Sequence, residues 1–158
     1  MATIITIIIG IDIATITVIV LLDPYVEQTA PRGKDNARLL RSLVLVLRYS
    51  GMRIGDVVQL TTDQSAGNKP MGYTQKTGVP VNTVLPDFVT TCLEAKRGVM
   101  GKHLFWAGTG NLEVIVGSWQ KRLCKLFKLS GVSNGHAHRF RDYSASGTIA
   151  ERLETFRV

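Results

Sequence analysis

The sequence predicts an α+β domain that is mostly helical, with one small antiparallel β-hairpin. Leu39, Leu40, Leu43, Val44 and Leu47 recur at three- and four-residue spacing, and Leu123, Leu126 and Phe127 do so again downstream. That period places apolar side chains on one helix face. Between these runs, residues 70–85 change period around Thr77-Gly78, the pattern of two short strands and a turn. The order of helices, hairpin and helices is that of an α+β domain. With 158 residues, 45% hydrophobic and 20% charged, the chain has the size of one domain and can bury a core.

Residues 1–34 stand apart as a hydrophobic N-terminal arm. Residues 2–22 hold 15 apolar residues, four Thr, Gly10 and Asp12, and no Lys or Arg occurs before Arg32. Ile5, Ile7, Ile9, Ile11 and Ile13 alternate with Thr6, Ile8, Gly10 and Asp12, and the Ile, Val and Thr content favours a strand. The stretch is long enough to span a bilayer. Against that, Asp12 at its middle would cost about 2.5–3.5 kcal/mol, and no cation flanks it to set an orientation. Asp23-Pro24 and Ala30-Pro31-Arg32-Gly33 are breakers that place a boundary near residue 34, so residues 35–158 form the body.

Asp35 or Asn36 is a suitable cap for a first helix running through Arg48, with Arg38, Arg41 and Arg48 on the side away from its leucines. Gly51 suits the left-handed residue that ends such a helix. Ile54, Val57, Val58 and Leu60 mark a short second helix, and Pro86-Asp87 opens another over residues 88–96. His103-Leu104-Phe105-Trp106 is an apolar run closed by the turn Gly108-Thr109-Gly110. Residues 119–129 form an amphipathic helix with Lys121, Arg122, Lys125 and Lys128 around its polar side, and a last helix starts near His138.

The charge balance excludes several classes and favours one. The net charge is +7, and all 19 basic residues lie beyond residue 30. From Lys96 to Arg141, nine basic residues face a single acid, Glu113. Charge that recurs on separate elements points to a polyanionic partner rather than to one solvated helix face. Cys92 and Cys124 are too few for a disulfide framework and fit the reducing cytoplasm. His136 and His138 with Cys124 match no structural zinc spacing.

His138 and Arg141 are three residues apart, hence on one helix face. A guanidinium gives planar bidentate donors to phosphate oxygens, and an imidazole exchanges protons near neutral pH. Taken alone, the pair is more economically read as a surface cluster with Asp142.

Tyr49-Ser50-Gly51-Met52-Arg53-Ile54-Gly55-Asp56 resembles the first-arginine box of the tyrosine recombinases, the phage integrase family, commonly T-G-L-R-I-S-E-L. Gln75-Lys76-Thr77-Gly78 resembles the hairpin that carries the family's catalytic lysine. His136-Ala137-His138-Arg139-Phe140-Arg141-Asp142 resembles its H-x-x-R box. These elements stand in the family's order over residues 36–145 and leave the first 34 residues uncovered.

The resemblance implies an integrase-like catalytic domain acting on double-stranded DNA without cofactor or metal. In the family a tyrosine attacks a phosphodiester and forms a 3′-phosphotyrosyl link. By that resemblance Arg53 and Arg141 would neutralise the equatorial charge of the phosphorane. Lys76 would protonate the leaving 5′ oxygen, His138 would assist proton transfer, and Asp56 would support Arg53.

The sequence also departs from the pattern. The family continues past H-x-x-R to a G-H or G-W box and a nucleophilic tyrosine, whereas residues 142–158 contain neither. Of Tyr25, Tyr49, Tyr73 and Tyr143, the last is two residues beyond Arg141, about 200° around a helix from it. The other three fall before or inside motifs that the family uses structurally. The expectation is therefore a truncated catalytic domain that binds DNA weakly and cannot recombine it, because its nucleophile is missing. The alternatives are a non-catalytic DNA-binding module that accepts a tyrosine in trans from a full-length recombinase protomer, and a basic protein anchored to a membrane by residues 2–22.

Overall fold

The computed structural model describes residues 31–64, 71–73, 78, 80–82, 84–95, 101–132 and 135–140. The arm of residues 1–30, Lys76 and Arg141 lie outside the described residues. Helix α1 spans Pro31–Ser50, α2 Ile54–Val58, strand β1 Met71–Tyr73, β2 Pro80–Asn82, α3 Asp87–Glu94 and α4 Leu112–Leu129. Residues 137–140 form a further helical turn.

Helix α1 begins at Pro31, ahead of the expected cap at Asp35 or Asn36. A proline is tolerated in the first turn of a helix, where its missing N–H costs no hydrogen bond, so Pro31, read from sequence as a breaker, is part of the helix. The helix stops where Gly51 adopts φ +66°, and the Met52 N–H donates to Ser50 Oγ at 3.1 Å. Along the arginine side, Arg38 is exposed and Arg41 half-buried, but Arg48 is not solvated. Every residue from 42 to 48 is buried, and Arg48 keeps only 4% of its surface exposed. The run Ser42-Leu43-Val44-Leu45-Val46-Leu47 has no polar face, and a helix apolar all round belongs in the centre of a domain. Helices α2 and α3 both pack on it. Ser42 Oγ is satisfied locally by donating to Arg38 O at 3.0 Å, and the Arg48 guanidinium lies 5.5 Å from the Tyr49 ring centroid.

One continuous core surrounds α1. It joins Leu43, Val44 and Leu47 to Val57 and Val58 of α2 and Leu60 just beyond it, to Leu85, Val89 and Leu93 around α3, and to Leu123, Leu126 and Phe127 of α4. Strands β1 and β2 pair antiparallel, with Met71 opposite Asn82, Gly72 opposite Val81 and Tyr73 opposite Pro80. A second, shorter pairing ties the exit of α2 to the segment before α4. Thr61 bridges His103, the Thr62 N–H donates to Lys102 O at 2.9 Å, and the Leu104 N–H donates to Leu60 O at 3.0 Å.

Helix α4 starts at Leu112, seven residues before the apolar spacing from Trp119 becomes clear. Asn111 caps it by accepting the Glu113 N–H at 2.8 Å. The intervening Val114, Ile115, Val116 and Gly117 are weak helix formers, which hides the start in the sequence. The Trp119 indole N–H donates to Phe105 O at 3.0 Å inside the core, and the two rings meet edge to face. Among the described residues, no helix is long and apolar enough to cross a membrane.

Candidate nucleic-acid interface

Arg53 occupies the corner between α1 and α2. Its backbone is extended, with φ −73° and ψ 150°, and its carbonyl accepts the N–H groups of Asp56 and Val57, both at 3.0 Å. Met52 before it and Val57 after it are buried, while Arg53 itself is exposed. The core thus fixes the backbone and leaves the guanidinium at the surface. Asp56 lies inside α2 and is buried.

The turn at residues 137–140 is fixed in two ways. Phe140 is buried, with its ring centroid 5.2 Å from that of Phe127. At the other end, the Arg139 N–H donates to His136 O at 3.1 Å and to His136 Nδ1 at 3.2 Å, so His136 caps the turn with its own ring. Gly135, just before, passes so close to Phe127 that a Cβ there would overlap the base of the phenylalanine side chain.

These two corners meet. Arg53 and His138, far apart in sequence, line one pocket of about 420 Å³ together with Met52, Ile54, Gln120, Cys124, His136 and Ala137. The pocket adjoins a groove of about 560 Å³ along α4 lined by Gly117, Gln120, Lys121, Cys124, Lys125 and Lys128. Gln120 and Cys124 line both, so the arginine–histidine pocket shares a wall with a lysine-rich helix face. Lys121, Lys125 and Lys128 are exposed, and Arg122 lies over the Trp119 ring at 4.7 Å. Exposed ammonium groups along a groove hold a phosphate backbone without reading its sequence.

Of the site residues expected from sequence, Arg53, Asp56 and His138 are therefore placed, with Arg53 and His138 in one pocket. Lys76 and Arg141 lie outside the described residues. Sequence reasoning missed Gln120 as a wall of the pocket and His136 as a cap. His136 in place of the usual Ser, Thr, Asp or Asn gives no capping signature. Cys124 also lines the pocket, yet among the described residues no three His, Cys, Asp or Glu side chains converge well enough to hold a metal ion.

No family model matches the sequence, and no curated protein matches it. Solved structures do. The lambda integrase catalytic core aligns with a TM-score of 0.60 at 16% identity, covering 89% of this chain and 86% of that one. XerA recombinase aligns with a TM-score of 0.65 at 13% identity, covering 89% of this chain and 50% of the other. A lambda integrase dimer bound to a COC′ core site gives a TM-score of 0.59 at 16% identity, covering 84% of this chain and 47% of that one. The chain thus spans about half the length of the longer recombinases and most of the isolated catalytic core. Its fold is tyrosine-recombinase-like and mostly helical.

Proposed function

We propose that this chain binds duplex DNA through the Arg53–His138 pocket and the lysine groove of α4, as the phosphate-binding part of a tyrosine recombinase that integrates or excises DNA by strand exchange. The observation that carries this reading is the convergence of Arg53 and His138 on one pocket that shares Gln120 and Cys124 with that groove. The fold shared with integrase structures, one of them bound to a DNA core site, supports it.

In this reading Arg53 grips a non-bridging phosphate oxygen, with Arg141 supplying the second guanidinium. Fixed donors aimed at the developing charge of the phosphorane stabilise it more than they stabilise the ground state. His138 exchanges a proton at the phosphate or at the attacking hydroxyl, Lys76 protonates the leaving 5′ oxygen, and Asp56 supports the Arg53 corner. The nucleophile is not among the tyrosines of the 158 residues. Tyr49, for instance, is committed to an edge-on contact with Phe88 at 5.3 Å between ring centroids. In this reading the attacking tyrosine comes from outside these 158 residues.

A nicked suicide duplex drawn from a pool of attachment-like sequences tests this, with an active recombinase as control. The expected result is salt-sensitive binding with no covalent adduct on a denaturing gel. An adduct abolished by Arg141→Ala would place the nucleophile in this chain, and absence of binding at low salt would refute the DNA function.

A further inference from the structure

We infer that His136 is a second imidazole of the phosphate pocket, a pre-oriented hydrogen-bond donor to the bound anion beside Arg53; this rests on the phosphate-site reading above. A backbone N–H can only donate, so the 3.2 Å contact from the Arg139 N–H requires a lone pair on His136 Nδ1. The neutral ring must then carry its proton on Nε2. Among the described residues, none takes a hydrogen bond from that Nε2. The same ring lines the pocket with Arg53 and His138, its centroid 6.5 Å from that of His138.

Two imidazoles thus face one pocket under different constraints. The backbone contact holds the His136 ring in the tautomer that carries its proton on Nε2, so the ring can donate from that side. His138 has no such backbone contact among the described residues. A ligand with oxygens on several sides, such as a phosphodiester or inorganic phosphate, can take an Arg53 guanidinium and the His136 Nε2–H together. The ring therefore does two things at once: it caps the turn that carries His138, and it adds a donor to the anion site.

His136→Ser separates these roles, because serine is a good helix cap but cannot reach into the pocket as an imidazole does. The full chain and the variant are titrated with inorganic phosphate and with a duplex oligonucleotide at low salt. Long-range proton–nitrogen NMR spectra read the His136 tautomer, and thermal unfolding reads stability. The expected result is an Nε2–H tautomer, unchanged stability, and binding of both ligands weakened about tenfold, the loss of one hydrogen bond to a charged acceptor. His136→Asn, another good cap, is the matching variant should the serine variant unfold early. An Nδ1–H tautomer, or unchanged affinity in a folded variant, overturns the inference alone. A wild-type chain that binds neither ligand overturns the phosphate site itself, and this inference with it.

Discussion

Helices α1 and α4 are nearly the same length, both rich in Leu and Val, and both carry arginine or lysine near their C-terminal ends. They do opposite work. In α1 the residues from 42 to 48 are all buried, Arg48 included, and the helix is a central post. In α4 Trp119, Leu123, Leu126 and Phe127 turn inward, while Lys121, Arg122, Lys125 and Lys128 stay exposed. A cation on a post belongs to packing; a cation on an amphipathic helix is available to a partner. Net charge alone does not separate the two.

The sharpest way to break that contrast is Leu43→Ala in α1. Leu43 is wholly buried, and truncating such a leucine costs about 2–5 kcal/mol through lost burial and the cavity left behind. Chemical denaturation should show the loss, with DNA binding falling only as the folded fraction falls. Gly135→Ala comes next. The added methyl overlaps Phe127, and overpacking of this kind costs about 1–3 kcal/mol. Because Phe127 seats Phe140, this variant should also lose phosphate affinity as the turn carrying His138 shifts.

Asn111→Ala removes the cap of α4 and should lower stability by about 1 kcal/mol. A larger effect on DNA binding than on unfolding would mean that the α4 start, and not its lysine face, meets DNA. The smallest effect on stability belongs to Lys121→Gln, Lys125→Gln and Lys128→Gln together, within about 0.5 kcal/mol per exposed site.

The difference between the two helices also explains what the sequence disclosed. The i, i+3, i+4 spacing of Leu123, Leu126 and Phe127 marks a face, and the lysines between them fall outside that face, so α4's polar side was legible. In α1 the same spacing of Leu39, Leu43 and Leu47 suggested one face, but Leu45, about 200° around from Leu43, is buried on the opposite side. That left Arg48 no solvent to occupy. Gly51 and the Arg53–Asp56 corner were legible because a left-handed turn and a short helix are local events. The meeting of Arg53 with His138 was suggested only by motif resemblance, since no local rule brings distant segments together. His136 was missed because its capping role depends on a ring orientation that spacing does not encode.

Whether pocket and groove act as one DNA-binding surface is tested most directly by the salt dependence of duplex binding, measured for the wild-type chain, the α4 triple-glutamine variant and Arg53→Ala. Each lysine that neutralises a phosphate contributes about 0.9 to the slope of log affinity against log salt. The triple variant should therefore lose about 2.7 from that slope with its unfolding temperature unchanged, and Arg53→Ala should lose about 0.9. Slopes identical to wild type in both variants would contradict the shared surface and move the DNA contact elsewhere on the chain.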